Sequence, residues 1–537
     1  MLRIIGAALA ASLAFATQAM AADAPSEIKI GTLYASSGRY ASISMPVYSS
    51  LKLWVEQKNA EGGVFVKAFD KNIPIKLVSY DDQSNTATAS TLYNQLVTQD
   101  KVDLLVADSG SVLTAPAVAI ARDHKMFLFD QTGTGASFFS KDNPYIALMA
   151  DPVSTVWPKP VADFISHDGP GLGIKKVAIL YSTNEFTGTQ ANAFRKFVKE
   201  SGAPIEIVYD QGVPTETTNY NVIINNISNA NPDAVIHFGY APNDIAFLRN
   251  VQDVGTKFKM LFAIYAGLET ELLEKNVGAK GLEHIWTYVP PSELDYPVNF
   301  GMNMKDFRAA WTKKYNDGKM EFGFNAVAGY TTALVIEKTL SVATSLDQME
   351  LRRAVFSLSG QLKTLDGTFA LDETGGQIGE LTPLGQLTVD EHDHIKFDQP
   401  RPDGALAQRP AQDAELDYPV NFGMNMKDFR AAWTKKYNDG KMEFGFNAVA
   451  GYTTALVIEK TLSVATSLDQ MELRRAVFSL SGQLKTLDGT FALDETGGQI
   501  GELTPLGQLT VDEHDHIKFV SIYPHETATG KPIYPAP

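Results

Sequence analysis

Two hydroxyl-bearing stretches have the residue types to hold a small anion. In "DSGSVLTAPAVAIA", Thr114 with Pro116 just after it has the pattern of a helix start, a capping hydroxyl with proline in the first turn. The first backbone N–H groups of a helix have no intrahelical partner and lie at the positive end of its dipole, so they attract negative charge. Ser111 lies just before that start and can add its hydroxyl. In "DQTGTG", Thr132 and Thr134 fall on alternate positions and point the same way if the preceding strand continues. A hydrogen bond to a charged group contributes about 1.5–3 kcal/mol, so two or three of them supply much of a micromolar affinity of about −8 kcal/mol.

Catalytic chemistry is not written in the chain. There is no cysteine, which excludes disulfides, thiolate metal sites and thiol nucleophiles. "GPGLGIKK" (Gly169–Lys176) precedes a strand and lacks the ending of a phosphate loop, so it reads as a linker. "GTGAS" (Gly133–Ser137) is not a nucleophile elbow. Asp81 and Asp82 are adjacent and diverge on opposite faces of a strand, which makes a turn and not an acid–base pair. His392 and His394 share a strand face, compatible with zinc, but no third ligand is evident and a solvated hairpin end is the simpler reading. The expectation is a protein that is not an enzyme and takes no cofactor or metal. A net charge of −16 with no basic stripe argues against nucleic acid as a partner.

The elements that must position these residues alternate. Apolar strands are expected at Glu27–Tyr34, Ile73–Tyr80, Val102–Asp108 and Met126–Thr132, with helices at Met45–Glu61, Thr86–Gln99 and Thr114–His124 between them. The rhythm restarts after Pro152, with strands at Lys176–Ser182, Ile205–Asp210, Asp233–Gly239, Lys259–Ala266 and His284–Val289. Helices at Phe186–Ser201, Tyr220–Ala230 and Asn243–Val254 separate them. Strands flanked by helices imply parallel sheets, and the pattern gives two similar α/β lobes.

The ordered set "KIGTLYASSG", "NAEGGV", "YDDQSNTATA", "TAPAVAIARDHKMFLFDQTGTG" and "KVAILYSTNEFTGTQA" resembles the type I periplasmic binding proteins, in particular the leucine/isoleucine/valine-binding branch of solute receptors for ABC importers. The resemblance spans Glu27–Phe397. It implies two Rossmann-like lobes with parallel sheets joined by a multi-crossover hinge, closing on a small solute and docking on an inner-membrane permease. Lobe one would run over 22–150, lobe two over 151–283, with 284–397 returning to complete both. The resemblance also implies that Ser111, Thr132 and Thr134 hold a ligand carboxylate, and that Phe186 and Tyr240 bring aromatic rings to the ligand from the second lobe. Tyr265 departs from the pattern, because members that bind α-amino acids carry an acidic residue there. A neutral phenol does not balance a desolvated ammonium. With Tyr40, the aromatic set favours a non-amino carboxylate; a branched-chain amino acid-like or aliphatic acid is the neighbouring possibility. A sensory ligand-binding protein of the same fold, as in amide sensors, is the alternative reading.

The termini and one long repeat complete the picture. "MLRIIGAALAASLAFATQAMAADA" has a basic start, an apolar run and a small-residue cleavage site, so residues 1–21 read as a secretory signal peptide and the mature protein as periplasmic. Glu293–Phe397 recurs letter for letter as Glu415–Phe519, 105 residues at an offset of 122. Two long perfect copies fit a single recent duplication or a joining error better than an evolved repeat array. Residues 398–414 read as a linker and 520–537 as a tail, since joining Phe397 to Val520 gives a natural ending. One lobe pair needs one copy. Copy one is expected to pack and copy two to expose apolar helix faces, with a monomer as the basic state and domain swapping through the second copy open to it.

Overall fold

In the computed structural model the described residues are 24–315, 320–380, 382–389, 395–400, 406–407, 418–437, 444–494, 497–500, 506–511 and 517–523. The signal-peptide segment, His392 and His394 lie outside them. The chain divides into two compact units, Met1–Val153 with Asp295–Glu380 and Ser154–Leu294 with Leu381–Pro537, so it passes between units three times.

The first passage runs β1 (Ile28–Tyr34), α1 (Ala41–Ala60), β2 (Val64–Val66), β3 (Lys71–Ile73), β4 (Ile75–Asp81), α2 (Thr86–Thr98), β5 (Leu104–Val106), α3 (Gly110–His124), β6 (Leu128–Asp130) and β7 (Ile146–Leu148). Strands β4-β1-β5-β6-β7 form one sheet, parallel throughout, and β2 pairs with β3 as a small hairpin. Every residue of β5, β6 and β7 is buried, as expected where helices cover both faces of a parallel sheet. The expected strands are longer than the observed ones, because apolar residues such as Val102 and Met126 continue into the buried turns that flank each strand.

The second passage holds α4 (Lys159–Asp163), β8 (Lys176–Ser182), α5 (Glu185–Ser201), β9 (Glu206–Val213), α6 (Asn221–Asn229), β10 (Ala234–Phe238), α7 (Ala241–Val254), β11 (Met260–Ala263), α8 (Tyr265–Leu268), α9 (Thr270–Val277), α10 (Ala279–Leu282) and β12 (Trp286–Tyr288). Here the strand expected to reach Ala266 stops at Ala263, and Tyr265 opens the short helix α8.

The chain then returns to unit one with α11 (Met304–Lys314), α12 (Phe324–Val342), α13 (Gln348–Ser357), β13 (Lys363–Thr364) and β14 (Gly367–Thr368). Copy one is therefore core material. Phe307, Trp311, Ile336, Leu340 and Leu351 join Ile30, Trp54 and Val106 in one buried cluster. Helix α12 crosses α1 at Gly329, where a Cβ would lie 2.2 Å from the Val47 carbonyl oxygen, so only glycine admits that approach.

Next, β15 (Leu384–Val389), β16 (Ile395–Pro400) and β17 (Leu406–Ala407) extend unit two's sheet to the order β17-β16-β15-β12-β11-β10-β8-β9. The pairs from β9 to β12 are parallel, and those from β12 to β17 antiparallel. The stretch read as a linker from residue 398 thus begins as strand, because the β15–β16 register carries on to pair Gln386 with Asp398. Copy two repeats the helices as α14 (Met426–Lys436), α15 (Phe446–Val464) and α16 (Gln470–Ser479), followed by β18 (Leu484–Thr486), β19 (Gly489–Phe491), β20 (Leu506–Val511) and β21 (Ile517–Tyr523). Its buried residues form small clusters of its own, one of them Met426, Phe429, Val449, Leu456 and Leu487. Among the described residues no helix is long and apolar enough to cross a membrane.

Candidate functional site

In unit one the hydroxyls gather where α3 begins. The helix starts at Gly110 and not at Thr114: Ser109 is its N-cap residue, and Gly110 turns the chain with φ of 77°, a conformation that favours glycine. Thr114 lies inside the helix and donates its hydroxyl back to the Asp108 carbonyl at 3.0 Å, while Pro116 sits further inside. The Thr-x-Pro pattern resembles a cap, but the positive-φ glycine lets the helix start a turn earlier. Ser111 is thereby moved from the approach into the first turn, among the unpaired N–H groups.

Thr132 and Thr134 do not lie on a continued strand. β6 ends at Asp130, and the Thr134 N–H donates to the Thr132 carbonyl at 3.0 Å, a tight turn that breaks the alternation. The turn instead locks onto the helix start. Thr132 Oγ1 accepts the Gly110 N–H at 2.8 Å and shares a bond of 3.0 Å with Ser109 Oγ. Ser111 Oγ accepts the Gly135 N–H at 3.0 Å. Gly133 permits the approach, since a Cβ there would fall 2.5 Å from the Thr114 methyl. Ser111, Thr132 and Thr134 are all buried. Ser111 Oγ and Thr132 Oγ1 each accept from a backbone amide, and Thr132 Oγ1 is further engaged with Ser109 Oγ, so the Ser111 proton is the one these bonds leave for donation.

Behind this cluster lies a pair of carboxyl groups at the ends of the strands flanking β1. Asp108 accepts the Ser44 hydroxyl and the Ser109 N–H, each at 2.6 Å, and Asp82 accepts the Ser84 N–H at 2.9 Å. Burial pushes Asp82 up to about 6, and burial together with the charge of Asp82 pushes Asp108 well above the ordinary carboxyl range. The two buried carboxyls interact closely enough to titrate as a pair. Asp81, by contrast, is held below its ordinary value: burial pulls it upward, but hydrogen bonds from Ser36 and Gln83 outweigh that. Asp81 is still strand, the last residue of β4, and the turn follows it, with the Asn85 N–H donating to the Asp82 carbonyl at 3.0 Å; the pairing of Asp82 with Asp108 is what sequence reasoning missed. Ser44 also accepts the Ala35 N–H at 2.7 Å. Tyr40 caps α1 next to this network, and its N–H donates to Ser84 Oγ at 3.1 Å.

In unit two the aromatic residues form one cluster. The rings of Phe186 and Tyr240 are 5.1 Å apart, Tyr240 and Tyr265 5.9 Å, and Phe186 and Tyr265 6.4 Å. Each sits at a helix start: Phe186 in the first turn of α5, Tyr240 at the cap of α7, and Tyr265 opening α8. Trp157, unanticipated from sequence, packs edge-on against both Phe186 and Tyr288 at 5.3 Å. Asp244 was also missed. One of its oxygens accepts the Tyr265 N–H at 2.7 Å, which ends β11 early and fixes where α8 begins. The other lies 2.7 Å from His237 Nδ1, close enough for an ion pair though off the axis of a hydrogen bond. Burial raises Asp244, and His237 offsets part of that. The signal for Asp244 was its place in "YAPND", an acid in the first turn of a helix. Among the described residues no group of three or more His, Asp or Glu is placed to hold a metal ion.

The sequence profile of the periplasmic binding proteins matches residues 27–393. The chain belongs to that family. Its members are non-catalytic solute-binding transport proteins, and the two α/β units joined by three crossings are the type I form of the fold. This binding protein is 24% identical over 346 residues to Leu/Ile/Val-binding protein homolog 7 of Brucella abortus, covering 63% of this chain and 83% of that protein. It is 22% identical over 362 residues to homolog 8 of the same organism, covering 66% and 85%. Among solved structures, the branched-chain amino acid transporter substrate-binding protein LivJ of Streptococcus pneumoniae, in complex with isoleucine, aligns at a TM-score of 0.57 with 21% identity, covering 70% of this chain and 100% of its own. An ABC-transporter solute-binding protein of R. palustris in complex with 4-hydroxybenzoate aligns at 0.56 with 20% identity, covering 70% and 96%. Both likenesses are of fold.

Proposed function

We propose that this protein is the solute-capturing component of an ABC importer, exported through its N-terminal signal segment, and that it holds a small non-amino carboxylate, preferably aromatic. The observation that carries the reading is the pair of hydroxyls at the α3 start, Ser111 and Thr132, each accepting a backbone N–H, with the Ser111 proton left to donate. The aromatic cluster of Phe186, Tyr240 and Tyr265 supplies apolar faces for the rest of the solute, and Tyr40 a further ring. Tyr265 brings no acid for an ammonium, and the nearby Asp244 is already engaged by the Tyr265 N–H and His237. Closure of the two lobes on a ligand touching both would shift an existing open–closed equilibrium, and the closed form would be the one a permease accepts. That fold relatives hold isoleucine in one case and 4-hydroxybenzoate in another makes the choice of acid the decisive question.

The test is a thermal-shift screen of the mature chain with benzoate-type acids, aliphatic acids, branched-chain amino acids and amides. A ligand present at 100 times its Kd adds about 2.7 kcal/mol of stability. Benzoate-type acids are expected to score, and Ser111→Ala to weaken the best of them at least about tenfold, the loss of one charge-assisted bond. A response confined to amino acids would overturn the Tyr265 argument.

A further inference from the structure

The three clustered aromatic residues of unit two stand on three different helix starts, and one run of hydrogen bonds ties those starts together. Asn184 caps α5: its side-chain oxygen accepts the Thr187 N–H at 3.1 Å, and its Nδ2 donates to Thr215 Oγ1 at 3.1 Å. The Thr215 carbonyl accepts Asn243 Nδ2 at 2.8 Å, and Asn243 Oδ1 accepts the Tyr240 N–H at 3.3 Å, at the start of α7. The next residue, Asp244, accepts the Tyr265 N–H at 2.7 Å, where α8 begins. The run therefore passes from the helix start that carries Phe186, through the one that carries Tyr240, to the one that carries Tyr265.

Asn243 and Asp244 are the middle of this run, and both are fully buried. An amide and a carboxyl in the interior are costly unless their polar atoms find partners, and these two find theirs on other elements. Asn243 Nδ2 also donates to Tyr220 Oη at 3.2 Å, and the second oxygen of Asp244 lies 2.7 Å from His237 Nδ1. Gly239 admits the close packing, since a Cβ there would fall 2.8 Å from both Asn243 Cβ and His237 Cε1. We propose that Asn243 and Asp244 are positioning residues, which hold Phe186, Tyr240 and Tyr265 as one preformed wall and so give the solute site its preference for a planar ring.

The two residues act through the backbone N–H groups of Tyr240 and Tyr265, not on the solute itself. Ring contacts alone, at 5.1–6.4 Å, leave each helix start free to shift against the others. Bonds from behind fix the starts, so the wall needs no ordering when a solute arrives. A planar ring lies flat on such faces and a puckered saturated ring does not. Aromatic packing of that kind is worth roughly two- to tenfold in affinity. The inference rests on the carboxylate reading proposed above and adds to it the residues that set the ring preference.

Titration calorimetry of the mature full-length chain tests it with benzoate and cyclohexanecarboxylate, acids of like charge and size that differ in the flatness of the ring. The wild type is expected to bind benzoate about fivefold tighter. Asp244→Asn keeps an oxygen for the Tyr265 N–H and should keep that ratio, whereas Asp244→Leu removes the acceptor and should bring it close to one. Thr215→Val is the milder variant: it cuts the run between α5 and α7, leaves Asn243 and Asp244 in place, and should about halve the ratio with an unchanged melting transition. A role in folding alone would lower melting temperatures and both affinities together and leave the ratio as it was. A wild-type ratio of one, a ratio unchanged in both the Leu and the Val variants, or its loss in Asp244→Asn as in Asp244→Leu would each overturn the proposal. A wild type that binds neither acid overturns the carboxylate reading instead. Near-ultraviolet circular dichroism of the same proteins then decides the positioning role: the aromatic signal should fall in the Leu and Val variants, and a signal unchanged in both would overturn it.

Discussion

At the scale of residues, the carboxyl pair behind the α3 start makes the sharpest claim about pH. Asp82 titrates at about 6 in the folded chain against 3.8 as its ordinary value. The folded state thus binds more protons than the unfolded one between those values, and stability falls as pH rises through about 6. Asp82→Asn mimics the protonated acid and removes that dependence. At pH about 4 the variant and wild type should unfold at similar denaturant, and at pH about 7.5 the variant should be more stable by on the order of 2 kcal/mol. Equal stability of the two proteins at both pH values in urea titrations would rule out the raised Asp82. Sequence reasoning picked out the hydroxyls that gather here because Ser and Thr beside glycines at a strand end announce themselves. It did not find the Asp82–Asp108 pair, because residues at the ends of β4 and β5 are brought together by the β4-β1-β5 strand order, which no local pattern records. Asp244 escaped for the same reason, since its partner is a backbone N–H on another element.

At the scale of elements, the chain holds a natural control on context. Helices α12 and α15 share one sequence, so propensity, periodicity and capping are identical, and periodicity alone locates both. What periodicity cannot tell is which of the two is buried. Gly329→Ala and Gly451→Ala should therefore act in opposite directions. The first drives a methyl into the Val47 carbonyl and should lower the main melting transition, a loss of about 1–3 kcal/mol for overpacking against backbone. The second meets open space in a single chain and should be neutral, or stabilise its helix by up to about 1 kcal/mol through propensity alone. Urea melts of both variants at low protein concentration check this. Equal destabilisation by the two would mean that copy two is packed as tightly as copy one.

At the scale of the whole molecule, the question is what the second copy adds to a chain whose first copy is packed in the core of unit one. Among the described residues, the buried cluster of unit one and the side chains packed on it extend no further than Leu371, and every candidate site residue lies before Gly267. Among the described residues, copy two has two small buried clusters, of five and three residues, so its own unfolding should be a weak transition at lower temperature. Removing 398–519 and joining Phe397 to Val520 replaces β21's pairing with β20 by the β15–β16 ladder already present upstream, since Phe397 pairs with Leu387 as Phe519 pairs with Leu509. The shortened chain should keep the main transition within about 3 °C and respond to the same acids, while losing the weak transition. Calorimetry of both chains decides it. Loss of the main transition on deletion would mean that copy two, and not copy one, completes the fold, and the burial of α12 against α1 would then have to be reassigned to α15.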